Sequence, residues 1–228
     1  MNLKAASLSQ TMSQILKIEP NASLNDHSKL ICSILANGGV IAFPTDTYYG
    51  LGVDPFNIKG VRRVFEIKSR HTNKPLLTLV ASETQLDQLA QNRSQEANIL
   101  IKTFWPAPLT LIFNAVPELP DILTSGTSKI GIRLPGNKWT RHLIETVGCA
   151  LTATSANKNN ESNLRNAEEV AQVFADEVDL VIDPGPAPGG KVSTVVDTTV
   201  SPPILLRQGA VTQQEIESTV KKECTLIV

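Results

Sequence analysis

Short apolar runs of strand character alternate along this chain with amphipathic helical segments, and the strands tend to end in small polar or cationic residues. That alternation restricts the chain to an α/β arrangement, because each helix must bury its apolar stripe against a sheet. "VIAFPT", "LLTLV", "LTLIFNA", "KIGIRLP", "CALTATSAN", "VDLVID", "STVVD" and "ILLR" read as strands. "LNDHSKLICSILANGG" reads as a helix with Leu30, Ile31, Ile34 and Leu35 on one face and a C-cap at Gly38 and Gly39. Val61, Val64 and Phe65 give "IKGVRRVFEIKSR" a second apolar face, and Asn137 to Val147 forms a helix stopped by Gly148. Helix starts are written at "SETQ" (82–85), "NAEE" (166–169) and "TQQE" (212–215). The expectation is one α/β domain over residues 23–228 with a twisted, mainly mixed sheet and flanking helices, preceded by a flexible leader over 1–22.

Composition narrows the function classes. With 228 residues, 41% hydrophobic and 19% charged, the chain has the make-up of a globular domain with a substantial core. A net charge of −1 makes no global demand for nucleic acid or an anionic membrane. No apolar run is long enough to span a bilayer. Cys32, Cys149 and Cys224 form no C-x-x-C pair, which suits a reduced, cytoplasmic setting better than a disulfide framework or zinc site. His27, His71 and His142 form no metal-binding spacing, and no G-x-S-x-G, Walker A or G-x-G-x-x-G motif is present.

What remains for chemistry is cations and hydroxyls. Lys59, Arg62, Arg63, Lys68, Arg70 and Lys74 face a single acid, Glu66. The first three sit on a helix and read as a solvated face. Lys68, Arg70 and Lys74 follow the helix and approach "PLLTLV", where cations suit phosphate or carboxylate. Arg133 and Arg207 close two strands, while Thr154, Ser155 and Asn157 end another. Ser193 and Thr194 follow the loop "DPGPAPGG" (183–190), which lacks apolar anchors and is expected to be mobile beside the site. The opening "FPTDTYYGLG" exposes Thr45, Asp46 and Thr47 at a strand end. Asp46 there is either a turn stabiliser or a functional acid. Such an inventory binds polyanions and stabilises developing charge, which fits phosphoryl or nucleotidyl transfer.

Six segments in order carry a resemblance. "GGVIAFPTDTYYGLG", "KSR" followed by "NKPL", "FWPAPLTLIF", "IGIRLP", "TSAN" and "STVVD…ILLRQGA" together resemble the YrdC/TsaC family of threonylcarbamoyl-AMP synthases. The resemblance implies a single YrdC-like domain with a concave, positively charged face, lacking the C-terminal domain of long members. It implies a nucleotidyltransferase that converts L-threonine, bicarbonate and ATP, with Mg²⁺, into threonylcarbamoyl-AMP and pyrophosphate. A partner transferase would then modify the tRNA adenosine next to the anticodon. The family's catalytic quartet falls on Lys68, Arg70, Ser155 and Asn157. Its threonine contacts fall on Thr47, Arg133, Ala153 and Ser193, and its ATP contacts on Arg70, Lys74, Ser155 and Arg207. No protein side chain is assigned to the metal. Leu79 stands where some members place a histidine that touches threonine.

Two other readings compete. The basic segment could hold double-stranded RNA or tRNA without chemistry, although aromatic content of 4% leaves few stacking platforms. A carbamoyl-transfer domain of the hydrogenase-maturation type would need further segments that this chain is too short to contain.

Overall fold

The computed structural model describes residues 13–19, 22–69, 71, 73–158, 161–221 and 224–226. Among the described residues thirteen strands occur in chain order: β1 (Ile15–Lys17), β2 (Ile41–Pro44), β3 (Tyr49–Gly52), β4 (Leu77–Leu79), β5 (Ala90–Gln91), β6 (Leu109–Ala115), β7 (Lys129–Arg133), β8 (Leu151–Thr152), β9 (Thr154–Ser155), β10 (Leu180–Asp183), β11 (Thr194–Asp197), β12 (Ile204–Arg207) and β13 (Thr225–Leu226). The helices are α1 (Asn25–Ala36), α2 (Ile58–Ile67), α3 (Glu83–Leu89), α4 (Gln95–Phe104), α5 (Asp121–Thr124), α6 (Lys138–Val147), α7 (Ala167–Phe174) and α8 (Gln213–Val220).

The strands form two mixed sheets rather than one. The first runs β1-β10-β2-β3-β9, and the second runs β13-β12-β11-β6-β7-β4-β8, with β5 paired to β6. They meet where β8 and β9 follow one another. Leu151 and Thr152 pair with β4, Thr154 and Ser155 pair with β3, and Ala153 lies between them. At the crossing Thr152 N donates to Val53 O at 2.9 Å and Ala153 N donates to Leu77 O at 2.7 Å. "CALTATSAN" is therefore a seam between sheets, which its residue types alone do not announce.

Central strands of the first sheet are buried on both faces, which explains their unbroken apolar runs. Ala42 and Val181 face one core with β6, β7, β11 and β12. Ile41, Phe43, Leu180 and Ile182 face a second core with Ile31 and Leu35 of α1 and Leu143 and Ile144 of α6. Leu30, expected on the buried face of α1, is instead 42% exposed. Asn137 caps α6 by accepting from Trp139 N and Thr140 N, and Gly148 ends it in the left-handed region at φ 74°. The cap pairs at Asn166/Glu169 and Thr212/Glu215 form as read.

Two expectations need correction. Ile15–Lys17, inside the stretch expected as a leader, is β1 and pairs in parallel with Leu180–Asp183. The loop 183–190 is also anchored: Ala187 is fully buried and its N–H donates to Arg165 O, while Tyr49 Oη donates to Gly185 O at 3.0 Å.

Candidate functional site

"FPTDTYYGLG" is a hairpin. β2 and β3 pair antiparallel, with Pro44 opposite Tyr49 and Ile41 opposite Gly52. Pro44 lacks an N–H and so suits the strand end. Thr45–Tyr48 makes the connection, closed by Thr45 N and Thr45 Oγ1 donating to Tyr48 O at 3.0 and 2.8 Å. Gly52 is required sterically, since a Cβ there would lie 2.5 Å from the Phe43 ring and 2.7 Å from Thr152 O. The start of α6 pins this hairpin from outside: Thr140 Oγ1 donates to Pro44 O at 2.9 Å and Gly136 N donates to Asp46 Oδ2 at 3.1 Å.

The hairpin, the seam and the ends of the second sheet enclose a cavity of about 360 Å³, within the range of small-ligand sites. Thr45, Thr47, Tyr48 and Gly50 contribute from the hairpin. Ala153, Thr154 and Ser155 contribute from the seam. Leu77, Thr110, Ile112, Gly131, Arg133, Val195 and Arg207 come from the second sheet, and Ser193 from the residue before β11. Of the expected site residues, Thr47, Arg133, Ala153, Ser155, Ser193 and Arg207 thus meet in one cavity.

Arg133 is the most buried of these cations, at 3% exposure. Its Nη2 lies 3.1 Å from Asp46 Oδ1, an ion pair not aligned as a hydrogen bond. Both Arg133 Nε and Asp46 Oδ1 are buried without a hydrogen-bond partner. Burial pulls the Arg133 pKa below its ordinary value, the charge of Asp46 opposes this, and nearby Arg207 lowers it further. Burial lowers Arg207 as well. Two partly or fully buried guanidinium groups lining one cavity favour anionic ligands there, because an anion offsets the cost of burying each charge.

Arg207 is oriented by Ser193, donating from Nε to Ser193 O at 3.0 Å and from Nη2 to Ser193 Oγ at 2.9 Å. Ser193 Oγ also lies 3.1 Å from Thr110 Oγ1. The "RQGA" segment after β12 is bolted to the same place. Thr194 Oγ1 accepts from Gly209 N at 2.9 Å and Val211 N at 3.0 Å. A Cβ on Gly209 would overlap the Val192 carbonyl, so only glycine permits this approach.

Lys68 does not line the cavity. It is 6% exposed, and its Nζ donates to Ser155 O at 2.5 Å, Asn157 O at 2.8 Å and Asn157 Oδ1 at 2.9 Å. An ammonium has three donors, and three acceptors of the "SAN" turn surround this one. Asn157 is likewise turned from the cavity, with Oδ1 accepting from Ser155 Oγ at 2.7 Å. Lys74 is exposed outside the lining, and Arg70 lies outside the described residues. Leu79 is fully buried in the second core. Farther along the basic segment, Arg63 pairs with Asp179 at 2.6 Å and Lys59 donates to Asn37 O at 3.0 Å, so part of that charge serves packing.

Sequence reasoning passed over Thr110 and Asn163, both of which line the cavity. Thr110 carried a signal: it is a polar residue inside the apolar strand "LTLIF", two positions from Ile112 on the same face. Among the described residues no helix is long and apolar enough to cross a membrane.

Residues 33–209 match the family model described as telomere recombination, the Sua5/YciO/YrdC domain. A curated threonylcarbamoyl-AMP synthase of Pyrococcus abyssi is 36% identical over 192 residues, covering 84% of this chain and 56% of that protein. The crystal structure of P. abyssi Sua5 complexed with L-threonine superposes with a TM-score of 0.87 at 33% identity, over 94% of this chain and 63% of that one. Escherichia coli YciO superposes with a TM-score of 0.80 at 26% identity, over 90% of this chain and 100% of its own. The chain thus spans little more than half the length of the Pyrococcus relatives.

Proposed function

Because this chain belongs to the Sua5/YciO/YrdC family, we propose that it is a threonylcarbamoyl-AMP synthase, joining L-threonine, bicarbonate and ATP. Bicarbonate dehydrates to CO₂, the threonine amine adds to it, and loss of a proton gives a carbamate. A carbamate oxygen attacks the α-phosphorus, the bond to the β-phosphate bridge breaks, and pyrophosphate leaves. No protein nucleophile takes part. The protein's task is to bring an amino-acid carboxylate, a carbamate and a triphosphate together against their mutual repulsion.

The observation that carries this reading is the unpartnered, buried Nε of Arg133 in a cavity that also holds Arg207. A buried guanidinium donor without an acceptor implies a ligand that supplies one. In this reading the threonine carboxylate takes the Arg133 end, with Thr47, Ala153 and Ser193 around the amino acid. The phosphates take the end of Arg207 and Ser155, and the family resemblance assigns Arg70 and Lys74 to ATP as well. Lys68 and Asn157 act by shaping the turn that presents Ser155, rather than by touching phosphate. Mg²⁺ accompanies ATP as its counter-ion. Among the described residues no carboxylate lines the cavity, and Asp46 behind Arg133 is engaged by Arg133 and Gly136, so phosphate oxygens suit the ion better than this protein's side chains. The product would pass to a transferase acting on tRNA, and a cytoplasmic setting fits that task.

Incubation with ATP, Mg²⁺ and bicarbonate, with and without L-threonine, tests the proposal. Pyrophosphate release that requires threonine is expected. Release indifferent to threonine, or none from folded protein, refutes it.

A further inference from the structure

We infer that Asp46 is a specificity-determining residue that sorts the two anions of this cavity, reserving the Arg133 end for a monoanionic carboxylate and leaving polyphosphate to the Arg207 end. This rests on the proposed reaction and goes beyond it, since Asp46 touches neither reacting group in that scheme.

The geometry carries the inference. Arg133 and Arg207 line one cavity of about 360 Å³, and nothing in their residue type distinguishes a carboxylate from a phosphate. Their surroundings do. Among the described residues, the hydrogen bonds of Arg207 Nε and Nη2 go to Ser193 oxygens, which are uncharged. Arg133 has a carboxylate 3.1 Å from Nη2, at a side chain only 10% exposed. That carboxylate is fixed independently, because its other oxygen accepts from Gly136 N. The Asp46–Arg133 unit is therefore neutral, yet it keeps an unpartnered Nε donor. A single carboxylate can take that donor with little charge penalty. A phosphate chain would bring several negative charges close to Asp46, and like charges at short range in a buried site repel strongly. Arg207, without such a neighbour, has no comparable veto. The sequence reading left Asp46 between turn stabiliser and functional acid. Its contacts are with Arg133 on β7 and Gly136 beyond it, across the site rather than within its own turn.

The test is competition, which a merely structural role would not alter. L-Threonine is titrated calorimetrically into the folded protein at increasing inorganic pyrophosphate. In the wild type, threonine affinity should change less than about twofold, because the anions occupy separate ends. In Asp46→Asn, which keeps the shape and an acceptor for Gly136 N, pyrophosphate should invade the Arg133 end. The apparent threonine Kd should then rise about fivefold or more as pyrophosphate saturates. Asp46→Glu should restore most of the separation. Thermal melting identifies folded variants, and Asp46→Ser serves if the asparagine variant does not fold. Threonine affinity in Asp46→Asn that is unchanged, or lowered equally at every pyrophosphate concentration, overturns the sorting role. So does wild-type protein in which pyrophosphate already competes. Wild-type protein that neither binds threonine nor releases pyrophosphate overturns the proposed reaction and this inference together.

Discussion

Replacing Lys68 by methionine separates two roles for the lysine of the K-x-R motif. Methionine keeps the apolar stem inside the fold but removes the ammonium and its bonds to Ser155 O, Asn157 O and Asn157 Oδ1. Asn157 Oδ1 retains the Ser155 hydroxyl as a donor, so two carbonyls lose a charged partner. A buried acceptor left unpaired costs about 1–3 kcal/mol. Ser155 is exposed, which lets water reach its carbonyl, and the variant is relieved of a buried ammonium. The balance is a loss of about 2 kcal/mol, or about 4–8 °C in melting temperature for a chain of this size. Because the turn carrying Ser155 loosens, turnover should also fall by about tenfold or more. Thermal unfolding by circular dichroism and pyrophosphate release provide the two readouts. If the melting temperature is unchanged and turnover vanishes, Lys68 acts on the substrate and not on the turn. If both are unchanged, the turn does not depend on it.

Other perturbations probe other parts of the site. Thr194→Val removes the hydroxyl that accepts from Gly209 N and Val211 N, and should cost about 2–4 kcal/mol in urea unfolding while weakening turnover through Arg207; unaltered stability would contradict that bracing. Thr47→Val should weaken the response to threonine with the ATP response nearly intact in separate titrations, and a selective ATP defect would reverse its assignment. Burial foremost, with Asp54 and Cys32 adding to it, pushes the Cys149 thiol up to about 12, against an ordinary value near 8.5. The unfolded chain then gives up this proton first, so the stabilisation is complete below about pH 8.5 and is lost as pH rises towards 12. Stability should accordingly fall more steeply with alkaline pH in the wild type than in Cys149→Ala, and parallel curves would refute it.

Much of this architecture is written locally. Asn137 with Gly148, and the cap pairs at 166–169 and 212–215, mark helix ends because their bonds join residues a few positions apart. The hairpin is legible from Pro44, the polar Thr45–Tyr48 connection and two following glycines. The direction of Lys68 is not. A lysine at a helix exit looks solvent-facing until Ser155 and Asn157, almost ninety positions away, supply its acceptors. The division into two sheets is hidden for the same reason, because it depends on which partners meet the two halves of residues 151–155. β1 is too short to show a period, and its pairing with β10 is remote in sequence. The loop 183–190 looked unanchored because its fixing points are main-chain groups and tyrosine hydroxyls elsewhere, including Tyr48 Oη donating to Gly190 O at 3.1 Å.

The most direct measurement is a crystal structure with L-threonine and a non-hydrolysable ATP analogue bound together. The threonine carboxylate should accept from Arg133 Nε at about 3 Å, with the phosphates at Arg207 and the amine directed towards the α-phosphate. Threonine bound away from Arg133, or nucleotide outside the cavity between the hairpin and the second sheet, would contradict the central claim.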